Sequence, residues 1–311
     1  MKEDRKVDLF LDSGAFSAWT QGTAINIDEY IQFIKDHQEM IEVYANLDGI
    51  PMRHKTKQTE MNEASAKLTL ENQKYMEKAG LKPMPCFHFG EPMKYLDYYV
   101  KHYDYIALGV AGNSGATLIP WLNICFSEHI CDQDGMPKIK VHGFAVTSLK
   151  IMMMYPWYSV DSTSWVVTGR MGSIFIPRWK DDRWRYDLNP WKFAVSSRSP
   201  GKSDAGKHIS TLPKEERDIL LRYIHEKGYK LGKSEFKKVK QDHLLLENER
   251  WNEKKPTDKS ALREVEIMVE IGISNKYQLR DEMNIIYFLD LEKNSKPWPW
   301  AFKMKVQNGL F

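Results

Sequence analysis

Four side chains able to move protons or attack carbon stand at the ends of short apolar runs. Asp12 closes VDLFLD (7–12), Asp48 closes EVYANLD (42–48), His88 lies near the end of MPCFHFG (84–90), and Asp161 lies near the end of WYSVDS (157–162). Gly109 ends YIALGV (105–110) in the same way. In parallel α/β folds the site is built beyond the carboxyl ends of the strands. A lone Asp there also serves as a helix N-cap. Three acids and a histidine together exceed what capping needs, because Asp is almost never fully buried unless paired. Two carboxylates facing one pocket suit glycosyl chemistry, one attacking or stabilising an anomeric carbon while the other moves protons at the leaving group.

The local motifs refine this. Asp12-Ser13-Gly14-Ala15-Phe16 is a tight turn whose small residues allow close approach of a ligand, with Phe16 offering a flat face. His88-Phe89-Gly90-Glu91 supplies either hydrogen bonds to a heterocycle edge or a structural histidine. Gly109-Val110-Ala111-Gly112 is a glycine-containing strand end but no phosphate loop, since neither GxGxxG nor GxxxxGK[ST] occurs. Tyr158 to Trp165 places an acid among hydroxyls. No GxSxG elbow and no metal-ligand spacing is found.

The elements that must position these residues read as strands alternating with helices. IKVHGFAV (139–146), GSIFIP (172–177) and WKFAVS (191–196) bring the apolar runs to eight. Helices are expected over 27–41, 59–79 (ending at Gly80), 92–103, 118–130 and 148–155. That alternation implies α/β with a parallel sheet, and both a (β/α)8 barrel and an open doubly wound sheet fit it. Residues 197–211 read as a linker. Beyond it, helices are expected over 212–228, 258–271 and 276–293, followed by a basic, aromatic tail at 296–307.

Composition narrows the class. With 42% hydrophobic and 28% charged residues in 311, the chain is an ordinary globular one. No apolar run approaches the roughly 18 residues of a membrane span, and the start has no signal-peptide pattern. Cys86, Cys125 and Cys131 form no CxxC pair, so a reducing, cytoplasmic location is expected. Residues 1–170 carry 17 Lys and Arg against 21 Asp and Glu, and residues 171–311 carry 28 against 21. A basic second part suggests a polyanionic partner.

Several of these segments resemble tRNA-guanine transglycosylases. DSGAF (12–16) resembles the family's DSGG[FY] motif. HGFAVTS with YPWYSVDSTSW (142–165) resembles the archaeal stretch ending in an FDSASY-like segment, and GRMGSIFI (169–176) the RNGHLF-like run after it. YIALGVAG (105–112) resembles the glycine-rich strand end, with Val110 where a second Gly is usual, and HFGE (88–91) falls where the family has Gln-Gly-Gly. The resemblance covers roughly residues 7–180. It is closest to the phage and bacterial branch that inserts 7-deazaguanines into DNA.

The resemblance implies a (β/α)8 barrel over 1–200. Residues 201–311 match no part of the family; their charge and pattern make them a mostly helical, basic extension expected to contact nucleic acid, with 212–228 as the last barrel helix. The resemblance implies exchange of guanine for a free 7-deazaguanine base. Asp161 would be the nucleophile at C1′ and Asp12 the general acid and base. Asp48 would read the donor edge of the base, and His88 would take the place of a base-binding Gln. Gly109, Val110 and Ala111 would offer backbone groups, and Phe16 would stack on the ring. Trp165, Arg170, Arg178 and Arg183, with Trp179 and Trp184, would hold nucleic-acid backbone and unstacked bases. The family's CxCxxC zinc segment is absent and the three cysteines cannot replace it by spacing, so no zinc is expected and DNA is favoured over tRNA. The same exchange on tRNA, a non-catalytic binding paralogue and a hydrolysing glycosidase are the alternatives.

Overall fold

The computed structural model describes residues 8–50, 57–110, 115–198, 208–258 and 260–304. Two compact bodies emerge, Met1–Ser162 with Lys296–Phe311, and Thr163–Ser295. No helix among the described residues is long and apolar enough to cross a membrane.

The first body is mixed α/β. Its strands are β1 (Leu9–Leu11), β2 (Ile41–Tyr44), β3 (Cys86–His88), β4 (Tyr105–Gly109), β5 (Lys140–Phe144) and β6 (Ser159–Val160). Between them run α1 (Ala15–Gln21), α2 (Ile27–Asp36), α3 (Gln58–Lys78), α4 (Met93–His102), α5 (Gly115–Ile124, continuing as a π-helical turn Cys125–Ile130) and α6 (Leu149–Met154). β1 pairs with β2, β3 to β6 pair in sequence order, and all these pairings are parallel. A parallel bridge from Ala45 to Met84 joins the two groups. Strands so ordered need a crossover each, and the helices supply it.

The sheet is curled. Neighbouring strands lie about 4.8 Å apart, so a flat sheet would separate β1 from β5 by about 19 Å. Instead Phe10 of β1 stacks on His142 of β5 with ring centroids 4.5 Å apart. Phe10 and Asp12 share one face, being two residues apart in an extended segment. The curl therefore turns Asp12 toward the ends of the strands opposite. Between the sheet and its helices, Phe87, Leu96, Tyr99, Ile106, Leu108, Leu122 and Phe126 form the largest buried cluster. The tail returns to this body, with Phe302 packed on Phe126 and Tyr155 and its N–H donating to Gly135 O at 2.8 Å.

The second body contains α7 (Ser164–Arg170), β7 (Ser173–Ile176), β8 (Arg178–Lys180), β9 (Arg183–Arg185), β10 (Trp191–Ala194), α8 (Lys214–Glu226), β11 (Lys233–Val239), β12 (Glu249–Trp251), β13 (Arg263–Glu270) and α9 (Tyr277–Asn294). Ile174, Ile176, Phe193, Leu220, Ile224 and Met283 form its core.

The described residues differ from the expected layout at three points. First, all eight apolar runs contain strands, but the described strands form no closed parallel ring: β7 and β10 pair with each other antiparallel. The chain between them is a β8–β9 hairpin turning through Asp181 and Asp182, both at positive φ, and a connection without a helix suits an antiparallel pair. Second, 258–271 is not a helix but carries β13, the central strand of an antiparallel sheet ordered β11-β13-β12. Val265, Ile267 and Val269 are β-branched and alternate, which favours a strand. The part after 200 is therefore mixed rather than mostly helical. Third, the compact bodies divide after Ser162 rather than after 200, and Lys296–Phe311 belongs with the first. Of the expected linker, residues 199–207 lie outside the described residues.

Candidate active site

The carboxyl edge of the curled sheet carries Asp12 directly after β1, Asp48 shortly after β2, His88 as the last residue of β3, Gly109 as the last of β4, Ala145 directly after β5 and Asp161 directly after β6. The expected acids and histidine thus share one sheet edge.

Asp48 is fixed by a polar helix face. The Thr69 hydroxyl of α3 accepts from Gly49 N–H at 2.9 Å, and the Ser65 hydroxyl donates to Gly49 O at 2.7 Å. Asn72 donates to Leu47 O at 2.7 Å. A Cβ on Gly49 would sit 3.0 Å from Ser65 O, so the close approach suits glycine. Asp48 then accepts from two sides: the Ser13 hydroxyl reaches Oδ1 at 2.9 Å and His88 Nε2 reaches Oδ2 at 2.8 Å. Ser13 belongs to the turn that carries Asp12, so the ends of β1 and β2 are tied together.

His88 lies between two carboxylates. Its Nδ1 is 3.1 Å from Glu91 Oε1, and Glu91 Oε2 accepts the His88 backbone N–H at 2.9 Å. Glu91 is only 3% exposed. Gly109, paired with His88 across β3 and β4, leaves room for the ring: a Cβ there would fall 2.5 Å from His88 Cδ2. Burial opposes charge on the imidazole, but the carboxylates of Glu91 and Asp48 outweigh it and hold His88 well above its ordinary value. Burial alone would raise Asp48. The hydrogen bond and charge of His88, with the Ser13 hydroxyl, reverse this and hold it below the usual carboxylate range. With a carboxylate oxygen at each ring nitrogen, the cluster favours the imidazolium form of His88.

Asp12 is poised in the opposite sense. It keeps a solvent-exposed surface, yet the protein crowding around it raises its pKa, and the charge of Asp48 raises it further. The Gly14 and Ser13 backbone donors offset part of this, and Asp161 adds to it. Burial, together with the charges of Asp48 and Asp161, thus biases Asp12 toward holding a proton.

Asp161 is the more open acid, its side chain 49% exposed. Its Oδ1 accepts the Ala145 N–H at 2.7 Å, and its own N–H donates to Gly143 O at 3.2 Å. Ala145 stands at φ 57°, a left-handed conformation that costs an alanine about 1–2 kcal/mol. That conformation aims the donor at the carboxylate. Ala145→Gly is expected to keep the hydrogen bond and raise stability by about 1 kcal/mol or less, since glycine loses backbone entropy in return. Thermal unfolding checks this, and a fall in midpoint would contradict the strain.

The other expected residues are placed as follows. Phe16 lies exposed on α1 with its ring 5.8 Å from Trp19. Gly109 O already accepts Phe89 N–H at 3.1 Å, and Val110 is buried in the apolar cluster. Ala111 lies outside the described residues. Both ring nitrogens of His88 are engaged, so a direct contact with a base would need one of those bonds to break. Trp165, Arg170, Arg178 and Arg183 belong to the second body. Arg170 and Arg183 are exposed, whereas Arg178 stacks over Trp191 at 4.5 Å and donates to Asn189 O. Trp184 donates to Glu226 and packs on Trp179 and Tyr223.

Ser13, Glu91, His142 and Ala145 are site residues with no role expected from the sequence. The HFGE spacing, His and Glu three apart around a turn, was the available signal for Glu91. The others depend on contacts between distant segments.

Asp48, Cys86 and His88 offer ligand atoms that all lie within 4.8 Å of one another. Cys86 and His88 share a face of β3. Burial pushes the Cys86 thiol up to about 11, so it stays protonated near neutrality. The 2.8 Å contact between His88 and Asp48 is that of a proton shared in a hydrogen bond. Tetrahedral zinc with bonds near 2.0 Å would spread those two atoms to about 3.3 Å. As it stands, hydrogen bonding accounts for the group.

No family model, curated protein or solved structure matches this chain.

Proposed function

We propose that the chain is a base-exchange transglycosylase that replaces guanine in DNA by a 7-deazaguanine base through a covalent glycosyl-enzyme. The observation that supports it best is the division of labour among three acids on one sheet edge. Asp12 is biased toward its protonated form, Asp48 is held ionised by His88, and Asp161 is accessible with one oxygen anchored. Environments that push pKa values apart assign acid and base roles. In this reading the curled parallel sheet is part of a (β/α)8-like wall.

In the first half-reaction Oδ2 of Asp161 attacks C1′ as the C1′–N9 bond breaks. Asp12 gives its proton to the departing guanine, whose N9 carries away the bond's electron pair. In the second half N9 of the incoming base attacks C1′, its proton passes to Asp12, and the electron pair of the C1′–Oδ2 bond returns to Asp161. Atoms, electrons and protons balance over the cycle with no further reactant. Asp48, ionised and oriented, accepts hydrogen bonds from the donor edge of the base and disfavours bases lacking those donors. A guanine within duplex DNA must be flipped out to reach these groups, or the substrate is single-stranded. The preference for DNA rests on the absent CxCxxC segment and the resemblance to the DNA-modifying branch.

Labelled guanine offered with duplex DNA, single-stranded DNA and tRNA tests the reading. Label in DNA is expected. Label only in tRNA would transfer the same chemistry to RNA, and release of free base without uptake would make the protein a glycosidase. Dialysis against a chelator is expected to leave the exchange rate unchanged. A loss restored by zinc would instead place a cation on Asp48, Cys86 and His88.

A further inference from the structure

A second histidine beside Asp161 has no part in the scheme above. His142 sits in β5, only 2% exposed, its ring stacked on Phe10 and edge-on to Phe144 at 4.6 Å. Ser159 faces it across β5 and β6, and the Ser159 hydroxyl is 2.6 Å from His142 Nδ1. The Tyr105 hydroxyl reaches the same oxygen at 2.5 Å. His142 Nε2 is buried without a hydrogen-bond partner, and Oδ1 of Asp161 stands 3.6 Å from it.

A packing role alone explains this poorly, because a buried polar atom left unpaired is destabilising and phenylalanine would stack on Phe10 without that cost. Either hydroxyl of the Tyr105–Ser159 pair can donate, and the Asp161 carboxylate facing Nε2 favours the direction that leaves a proton on that nitrogen. Burial raises the Tyr105 pKa, more than Ser159 lowers it, so Tyr105 keeps the proton that this direction needs. Tyr105 donates to Ser159, Ser159 donates to Nδ1, and the ring proton is left on Nε2, facing Asp161. The other tautomer would turn a lone pair toward a carboxylate.

We propose that His142 is a positioning residue for Asp161. Its Nε2–H, set by Tyr105 and Ser159, joins the Ala145 N–H in holding Oδ1 and leaves Oδ2 to bond C1′. Such donors favour the charged carboxylate over the neutral glycosyl ester. They therefore help Asp161 leave the ester in the second half-reaction more than they help it attack. The kinetic consequence rests on the base-exchange reading, whereas the tautomer does not.

The test combines nitrogen NMR of the ring with single-turnover kinetics on a guanine-containing oligonucleotide. In the wild type, His142 is expected to carry its proton on Nε2, with a resonance that shifts in Asp161→Asn but not in Asp12→Asn. In His142→Phe, breakdown of the glycosyl-enzyme by added guanine is expected to slow about 10- to 100-fold, the scale of a lost hydrogen bond to a charged group. The covalent fraction should rise, which a general loss of folding would not produce. His142→Gln, which restores an N–H in place of Nε2, should recover most of the rate. A proton on Nδ1, or an unchanged breakdown rate in His142→Phe, overturns the proposal. Should the wild type exchange no base in any polymer, the base-exchange reading fails while the tautomer still decides the hydrogen bond.

Discussion

Asp161→Asn is expected to lower guanine exchange by about 10⁴-fold or more, the scale of losing a nucleophile that acts as part of a unit. The amide cannot form the glycosyl ester, so no covalent species should be detectable. Folding should be little affected. The side chain is half exposed, and an asparagine oxygen can still accept the Ala145 N–H. The pairing of lost exchange with a retained unfolding midpoint is the signature. Exchange within about tenfold of wild type would remove Asp161 from the chemistry and point to a different acid on the same edge.

The second large effect concerns stability. His88→Leu removes the cation from between Asp48 and Glu91, and both carboxylates are then buried without it. Breaking a buried charged pair in this way costs about 3–5 kcal/mol, because the remaining charge is left uncompensated. The gap between wild type and variant should depend on pH. His88 has a raised pKa, so its contribution is complete below its ordinary value of 6.5 and is lost as pH rises through the higher folded value. Asp48 has a lowered pKa, so its contribution is complete above its ordinary value of 3.8 and is lost as pH falls through the lower folded value. The gap should therefore be widest between about pH 4 and 6.5 and close on the alkaline side. Chemical denaturation at a series of pH values measures it. A gap that does not vary with pH would show that the histidine acts by packing.

These predictions draw on residues of unequal visibility in the sequence. Asp12, Asp48, His88 and Asp161 were visible because each stands where an apolar run ends, and the strand-end rule groups such positions without knowing the topology. Whether the later strands continue the parallel sheet was not visible. β7 and β10 read as two more buried strands, and only the hairpin between them decides that they pair antiparallel. The stretch 258–271 mixes helical and alternating spacings, and its β-branched residues decide for β13.

The supporting residues were hidden for a different reason. Ser65, Thr69 and Asn72 give α3 a polar face that reads as solvent-exposed, but it grips the loop carrying Asp48. His142 and Ser159 are 17 residues apart and meet only through strand register. Polar groups that work by holding other polar groups leave no periodic trace, whereas the apolar runs that build the sheet do.

The claim of covalent exchange at Asp161 is tested most directly by intact mass measurement of the denatured protein after incubation with a guanine-containing DNA oligonucleotide. An adduct with the mass of protein plus oligonucleotide minus guanine is expected, mapped by digestion to Asp161 and discharged by added guanine. Guanine exchange without any adduct, or an adduct at another residue, would contradict it.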